Sequence, residues 1–342
     1  MALLTHRDPQ EVGAALARWV GARTGAPAVR VVDAEHPSTG WSSETVLVDL
    51  AWPAAEGAGE ETGEFVVRLA PPMVGTFRDY DLAQQTVAQL AAAAAGVAVA
   101  DPELVNDPQW FEVPFMVMPR VRGHIIGEVA AFDPWLNALS EPERAQAHEA
   151  FIGAVAATHR ADLAAAPGVP RRDNAAELDF WADYLDWSSG GSPLPALVEA
   201  LAWCRARRPA TESEAVLLWG DVRLGNVIFG DDLAPCAVLD WDMTSIGARE
   251  HDVAWFVMLE STMRALLDTH LAGFPDREST MAQYESISGH TLRDFEWYET
   301  LALVRSTSIM TRIGYLHRDA GLPSPLPIDD NPLLDLLAAR LT

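Results

Sequence analysis

Apolar positions along the chain change period several times, and each change predicts an element. Over residues 8–24, Val12, Leu16, Trp19 and Val20 recur at helical spacing behind Asp8 and Pro9, which suit a cap and a first turn. Short apolar runs at residues 29–32 and 45–50, and the alternating run at 65–69, read as strands, while the polar, glycine-rich residues 53–64 read as a hairpin loop. A helical pattern spans about residues 80–95 and stops at Gly96. Residues 115–120, Phe-Met-Val-Met-Pro-Arg, read as the last strand of an N-terminal lobe running into a linker. Helical patterns then dominate, at about residues 142–164, 174–187 and 194–206, broken by Pro and Gly. His159 falls on an apolar face of the first and reads as a packed, satisfied histidine. Phe180, Trp181, Tyr184 and Trp187 recur at helical spacing in the second, which fits core packing or an aromatic wall for a ligand.

The chemistry concentrates at residues 219–242. Trp-Gly-Asp-Val-Arg-Leu-Gly-Asn at 219–226 is followed by a strand pattern at 227–229, then by a second at 237–239 that delivers Asp240 in Leu-Asp-Trp-Asp. Phosphoryl transfer requires a group that orients and deprotonates a hydroxyl, and ligands that neutralise charge spread over phosphate oxygens. Asp221 suits the first task. Asn226 and Asp240 offer a neutral and an anionic oxygen, the donor set of a hard Mg²⁺ ion that also holds water and nucleotide phosphates. Turn chemistry alone explains Gly-Asp and Gly-Asn but not the strand that brings Asp240.

These residues resemble the catalytic loop of the aminoglycoside phosphotransferase family, usually His-Gly-Asp-x-x-x-x-Asn followed by Ile-Asp-Trp-(Asp/Glu). They are more similar still to a phosphotransferase subgroup carrying Trp-Gly-Asp-x-Arg-x-Gly-Asn. Residues 80–82, 114–118, 201–203 and 247–250 fit the same subgroup, so the likeness runs from about residue 39 to about residue 312. Trp219 and Arg223 depart from the wider pattern. The resemblance implies an α+β, two-lobed protein-kinase-like fold, with an antiparallel-sheet N-terminal lobe at residues 1–119 and a larger, mainly helical catalytic and acceptor-binding lobe at 120–342. It also implies ATP or GTP and Mg²⁺ as cofactors. Ser38, Thr39, Gly40, Ser42 and Ser43 stand where such a fold covers the phosphates, and Arg68 where it holds them from a strand. Gln85 stands where a helix orients that cation, and Met118 where the linker meets adenine. Arg223, two residues after the base, would lie beside the transferring phosphate, serving either the transition state or an anionic acceptor. Asp252, in the first turn of a helix beginning near Glu250, would brace the loop by accepting backbone N–H groups.

Composition sharpens this picture. All 24 basic residues are arginine, so the lysine that usually holds nucleotide phosphates is absent and an arginine must replace it. A net charge of −25 argues against a nucleic-acid partner or an anionic membrane surface. Cys204 and Cys236 give neither a disulfide framework nor metal-ligand spacing, and with no apolar run of membrane-spanning length a cytoplasmic protein is expected. The expected partners are a nucleotide and a small-molecule hydroxyl acceptor. An aminoglycoside-type antibiotic, a hydroxyacyl-CoA or another hydroxylated metabolite, and choline-like alcohols all stay open. So do the choice of nucleotide, the oligomeric state and a rival in which a pseudokinase binds nucleotide without transfer.

Overall fold

The computed structural model describes residues 6–37, 43–54 and 59–341. The chain divides into two compact units, Met1–Leu90 with Ala100–Val121, and Ala91–Val99 with Arg122–Thr342.

In the first unit, helix α1 (Pro9–Thr24) starts where Asp8 accepts from Gln10 N and ends at Gly25 in the left-handed region. Strands β1 (Arg30–Glu35), β2 (Glu44–Pro53) and β3 (Glu60–Leu69) follow, then helix α2 (Leu82–Ala94), which crosses the division between the units, and strands β4 (Glu103–Val105) and β5 (Phe115–Pro119). The strands pair antiparallel in the order β1-β2-β3-β5-β4. Period-two alternation along β2 turns Val46, Val48 and Leu50 to one face, where they join Val12, Leu16 and Val20 of α1 in a fully buried core. Each such side chain contributes about 1.5–3 kcal/mol of transfer free energy.

The loop expected at residues 53–64 is shorter than its composition suggests. β2 runs to Pro53 and β3 begins at Glu60, while residues 55–58 lie outside the described residues. Polar residues extend the ladder because they pair across it: Trp52 Nε1 donates to Glu61 at 2.9 Å, and Arg30 meets Glu60 at 2.9 Å.

The second unit is mainly helical. After β6 (His124–Ile125) come α3 (Pro134–Ala138), α4 (Glu141–Thr158), α5 (Asn174–Ser188) and α6 (Pro195–Ala206). Strand β7 (Ala215–Leu218), hairpin strands β8 (Val227–Phe229) and β9 (Pro235–Val238), and β10 (Ser245–Ala248) precede α7 (Glu250–Leu267), α8 (Arg277–Ser288), α9 (Phe295–Asp319) and α10 (Pro332–Leu341). β7 pairs with β10, and β8 lies between β6 and β9. These pairings fix both ends of the loop at 219–226: Trp219 follows β7, and Asn226 closes a 3₁₀ turn (Leu224–Asn226) leading straight into β8. Among the described residues no helix is long and apolar enough to cross a membrane.

Candidate active site

The loop after β7 is held from below by one carboxylate. Asp252, 1 % exposed in the first turn of α7, accepts from Trp219 N at 2.8 Å and Gly220 N at 2.9 Å, and its Oδ2 lies 3.1 Å from His159 Nε2. The other imidazole nitrogen of His159 meets Tyr284 Oη at 2.7 Å, so this histidine is buried and satisfied on both sides. Asp252 thus has the bracing geometry expected of it. Gly220 must turn sharply here, at φ +95°, and a Cβ at that position would stand 2.3 Å from the Met243 carbonyl oxygen.

Asp221 emerges from this braced turn with three side chains on its carboxylate. Trp255 Nε1 donates to Oδ1 at 2.9 Å, Asn226 Nδ2 donates to Oδ2 at 2.8 Å, and Arg223 Nε lies 3.2 Å from Oδ2. Burial pushes the carboxyl above its ordinary range; Arg223 opposes most strongly, Asp240 adds to the rise, and the bonds from Asn226 and Trp255 pull it down. A raised carboxyl is a better proton acceptor than an ordinary aspartate. Arg223 reaches a second anion as well, with Nη1 2.7 Å from Glu128 Oε2.

Asp240 does not sit on a strand. β9 ends at Val238, and Asp240 lies in the turn beyond it at φ +56°. Strand alternation therefore does not order Asp242 against Asp240. The turn is pinned instead by backbone and indole bonds. Leu239 N donates to Asn226 O at 2.8 Å, and Trp219 Nε1 donates to the carbonyls of Leu239 and Asp240 at 2.8 and 3.0 Å. Trp219, fully buried, ties the two halves of the motif together.

The residues fit a divalent cation. Asn226 turns its amide nitrogen to Asp221, through both the backbone carbonyl and the carboxylate, so its carbonyl oxygen remains as the donor that can face outward. Asp221 and Asp240 are close enough for one charge to raise the other's carboxyl, a repulsion that a cation between hard oxygen donors would relieve. Another group with ligand spacing, His6, His36 and Glu44, is compromised because Arg7 already occupies both oxygens of Glu44.

In the first unit, Arg68 on β3 donates from Nε to Ser43 Oγ at 3.0 Å, with Nη2 on the same oxygen. Gln85 is buried in α2, its Oε1 without a hydrogen-bond partner among the described residues, and Met118 is buried near the end of β5. Ser38, Thr39, Gly40 and Ser42 lie outside the described residues. Asp221, Arg223, Asn226 and Asp240 thus come together in one unit, and Ser43 and Arg68 meet in the other. Of the aromatic set on α5, Trp181 and Tyr184 are core, whereas Phe180 is exposed under the Arg172 guanidinium at 4.3 Å.

Sequence reasoning missed Trp255 and Glu128. Trp255 follows Asp252 by three residues and so shares its helical face, a signal that could have found it; Glu128 had none.

The fold is shared with solved phosphotransferases. A Ralstonia eutropha protein provisionally named an aminoglycoside phosphotransferase matches with a TM-score of 0.67 at 21 % identity, over 96 % of this chain and 94 % of that one. The macrolide 2'-phosphotransferase MphH of Brachybacterium faecium matches with a TM-score of 0.54 at 19 % identity, over 97 % and 98 %. The architecture is the two-lobed protein-kinase-like fold. Among curated sequences, human acyl-CoA dehydrogenase family member 11 is 23 % identical over 66 % of this chain, which spans only 29 % of that protein. The sequence profile of the phosphotransferase enzyme family covers residues 33–285, well over half the chain, and the protein belongs to that family.

Proposed function

We propose that the protein transfers the terminal phosphoryl group of ATP or GTP to a hydroxyl of a small molecule. The observation that carries this reading is the Asp221 carboxylate, raised by burial, held by Trp255, Asn226 and Arg223, and placed beside Asp240. Asp221 orients the acceptor hydroxyl and takes its proton as that oxygen attacks phosphorus and the nucleotide's bridging oxygen leaves. Asn226 and Asp240 would hold Mg²⁺, which when bound neutralises phosphate charge. Residues 1–119 serve the nucleotide, through Ser43, Arg68, Gln85, Met118 and the segment from Ser38 to Ser42. Residues 120–342 serve catalysis and the acceptor.

An aminoglycoside-type antibiotic is the first acceptor to test, because the loop's likeness is to that family. A hydroxyacyl-CoA or related hydroxylated acid is the second. It is favoured by the sequence relatives named as acyl-CoA dehydrogenase family members and by the cation of Arg223 beside the base. Transfer of label from γ-labelled ATP and GTP to aminoglycosides, macrolides, choline and hydroxyacyl-CoA thioesters, with and without Mg²⁺, tests both. Metal-dependent nucleotide binding with no transfer to any of them would replace this reading with that of a pseudokinase.

A further inference from the structure

Beneath the loop lies a cation that no step above uses. Arg305, in the middle of α9, is 5 % exposed. A guanidinium is expensive to bury and normally finds a dedicated carboxylate. Glu177 is the nearest one, but its oxygens are already taken by Arg172 Nε at 2.6 Å and by Trp181 Nε1 at 2.8 Å. Arg305 approaches it only to 3.9 Å, and Arg305 Nε has no hydrogen-bond partner among the described residues. Two arginines thus share one glutamate, and Asp252 and Asp221, the carboxylates under and in the loop, also act on the Arg305 charge.

What Arg305 does touch leads to Asp221 twice. Its Nη2 stands 3.5 Å from the carbonyl oxygen of Gly220, the residue before Asp221. Its guanidinium carbon lies 4.8 Å from the centroid of Trp255 and 5.4 Å from that of Trp181. A desolvated cation is held electrostatically by an indole face, and Trp255 is the indole whose N–H donates to Asp221 Oδ1.

We infer that Arg305 is a positioning residue: it clamps Trp255 and the Gly220 peptide so that the Asp221 carboxylate is held in one orientation before any substrate arrives. The inference rests on Asp221 being the base, and its test separates the two. In ligand-free, ¹⁵N-labelled protein the Trp255 indole N–H resonance, assigned through Trp255→Phe, reports the clamp directly. Arg305→Met should shift that resonance and speed its exchange with solvent about tenfold. Mg·ATP hydrolysis, with water in the acceptor's place, should lose at least about tenfold in kcat with KM for Mg·ATP little changed, the pattern of a misplaced reacting group. Arg305→Lys, which keeps the charge but not the planar stack, should recover part of both. Trp255→Phe should cost a similar factor, and the double variant no more than either alone. A wild-type Trp255 resonance and wild-type kcat in folded Arg305→Met, or additive losses in the double variant, would overturn the inference. If Arg305→Met does not fold, Arg305→Lys decides: wild-type values in both readouts reject the clamp, and partial losses in both support it. Unimpaired hydrolysis in Asp221→Asn would instead remove the base, leaving the Trp255 resonance to report on the clamp alone.

Discussion

Asp252 braces the loop that carries Asp221, yet replacing each by asparagine should have opposite consequences. Asp252 presents different oxygens to two backbone donors, Oδ1 to Gly220 N and Oδ2 to Trp219 N, with His159 also on Oδ2. Asparagine keeps only one acceptor oxygen, so in either orientation its NH₂ confronts a buried N–H. The variant loses at least one charge-assisted hydrogen bond and leaves a buried donor unmet, together about 3 kcal/mol. With a urea slope of roughly 3 kcal/mol per molar, the unfolding midpoint should fall by about 1 M at an unchanged slope. Asp221→Asn also loses partners on one oxygen, Asn226 and the Arg223 ion pair, but it removes a charge that burial and Asp240 disfavour more than those partners favour it, so the changes offset. Its midpoint should stay near wild type while turnover falls roughly 10²-fold or more, within the range for losing a general base. Urea denaturation and phosphoryl-transfer kinetics on both variants make the test. An unshifted midpoint in Asp252→Asn would refute the bracing argument, and wild-type turnover in Asp221→Asn would refute the base.

Asp240→Ala should weaken Mg²⁺-dependent nucleotide binding far more than metal-free binding, in calorimetry with and without Mg²⁺; equal losses with and without the metal would remove Asp240 from the metal site. Arg68→Ala should raise the nucleotide KM strongly while Arg68→Lys retains measurable activity, since a cation on that strand contributes charge with either head group; an unaffected alanine variant would detach Arg68 from the nucleotide. Arg223→Ala should lower kcat for every acceptor alike if it serves the transition state, whereas a selective rise in KM for acidic acceptors would assign it to acceptor binding. Burial holds both His148 and His251 at about 4, below the ordinary 6.5. The unfolded chain therefore binds these protons first. The stability they contribute is complete above pH 6.5 and drains away between 6.5 and 4, by about 3 kcal/mol per histidine at most; His148→Gln should flatten that part of a stability–pH curve, and an unchanged curve would refute the assignment.

The loop was legible in the sequence because the chemistry it suits dictates residue types within eight consecutive positions, and the strands around it are short apolar runs. Apart from the Asp252 brace, which the resemblance implied, what holds it was not legible. The hydrogen bonds that fix the site join residues 20 to 95 positions apart, Trp219 to Leu239, Asp221 to Trp255, Asp252 to Trp219 and Arg223 to Glu128. No local period encodes such pairs. The strand expected at residues 237–239 ends one residue early, at Val238, and the turn of the backbone at Asp240, φ +56°, is not written in the apolar run. Trp219 shows how a departure from the wider pattern can be absorbed. Where the wider family has an imidazole, this chain places an indole whose N–H reaches two carbonyls on the far side of the motif, those of Leu239 and Asp240 itself. An indole donor does not titrate, whereas an imidazole exchanges donor for acceptor with tautomer and pH. The turn that carries Asp240 is thus held by a bond indifferent to pH, in a fully buried position where the larger ring also packs against Phe151 and Trp241.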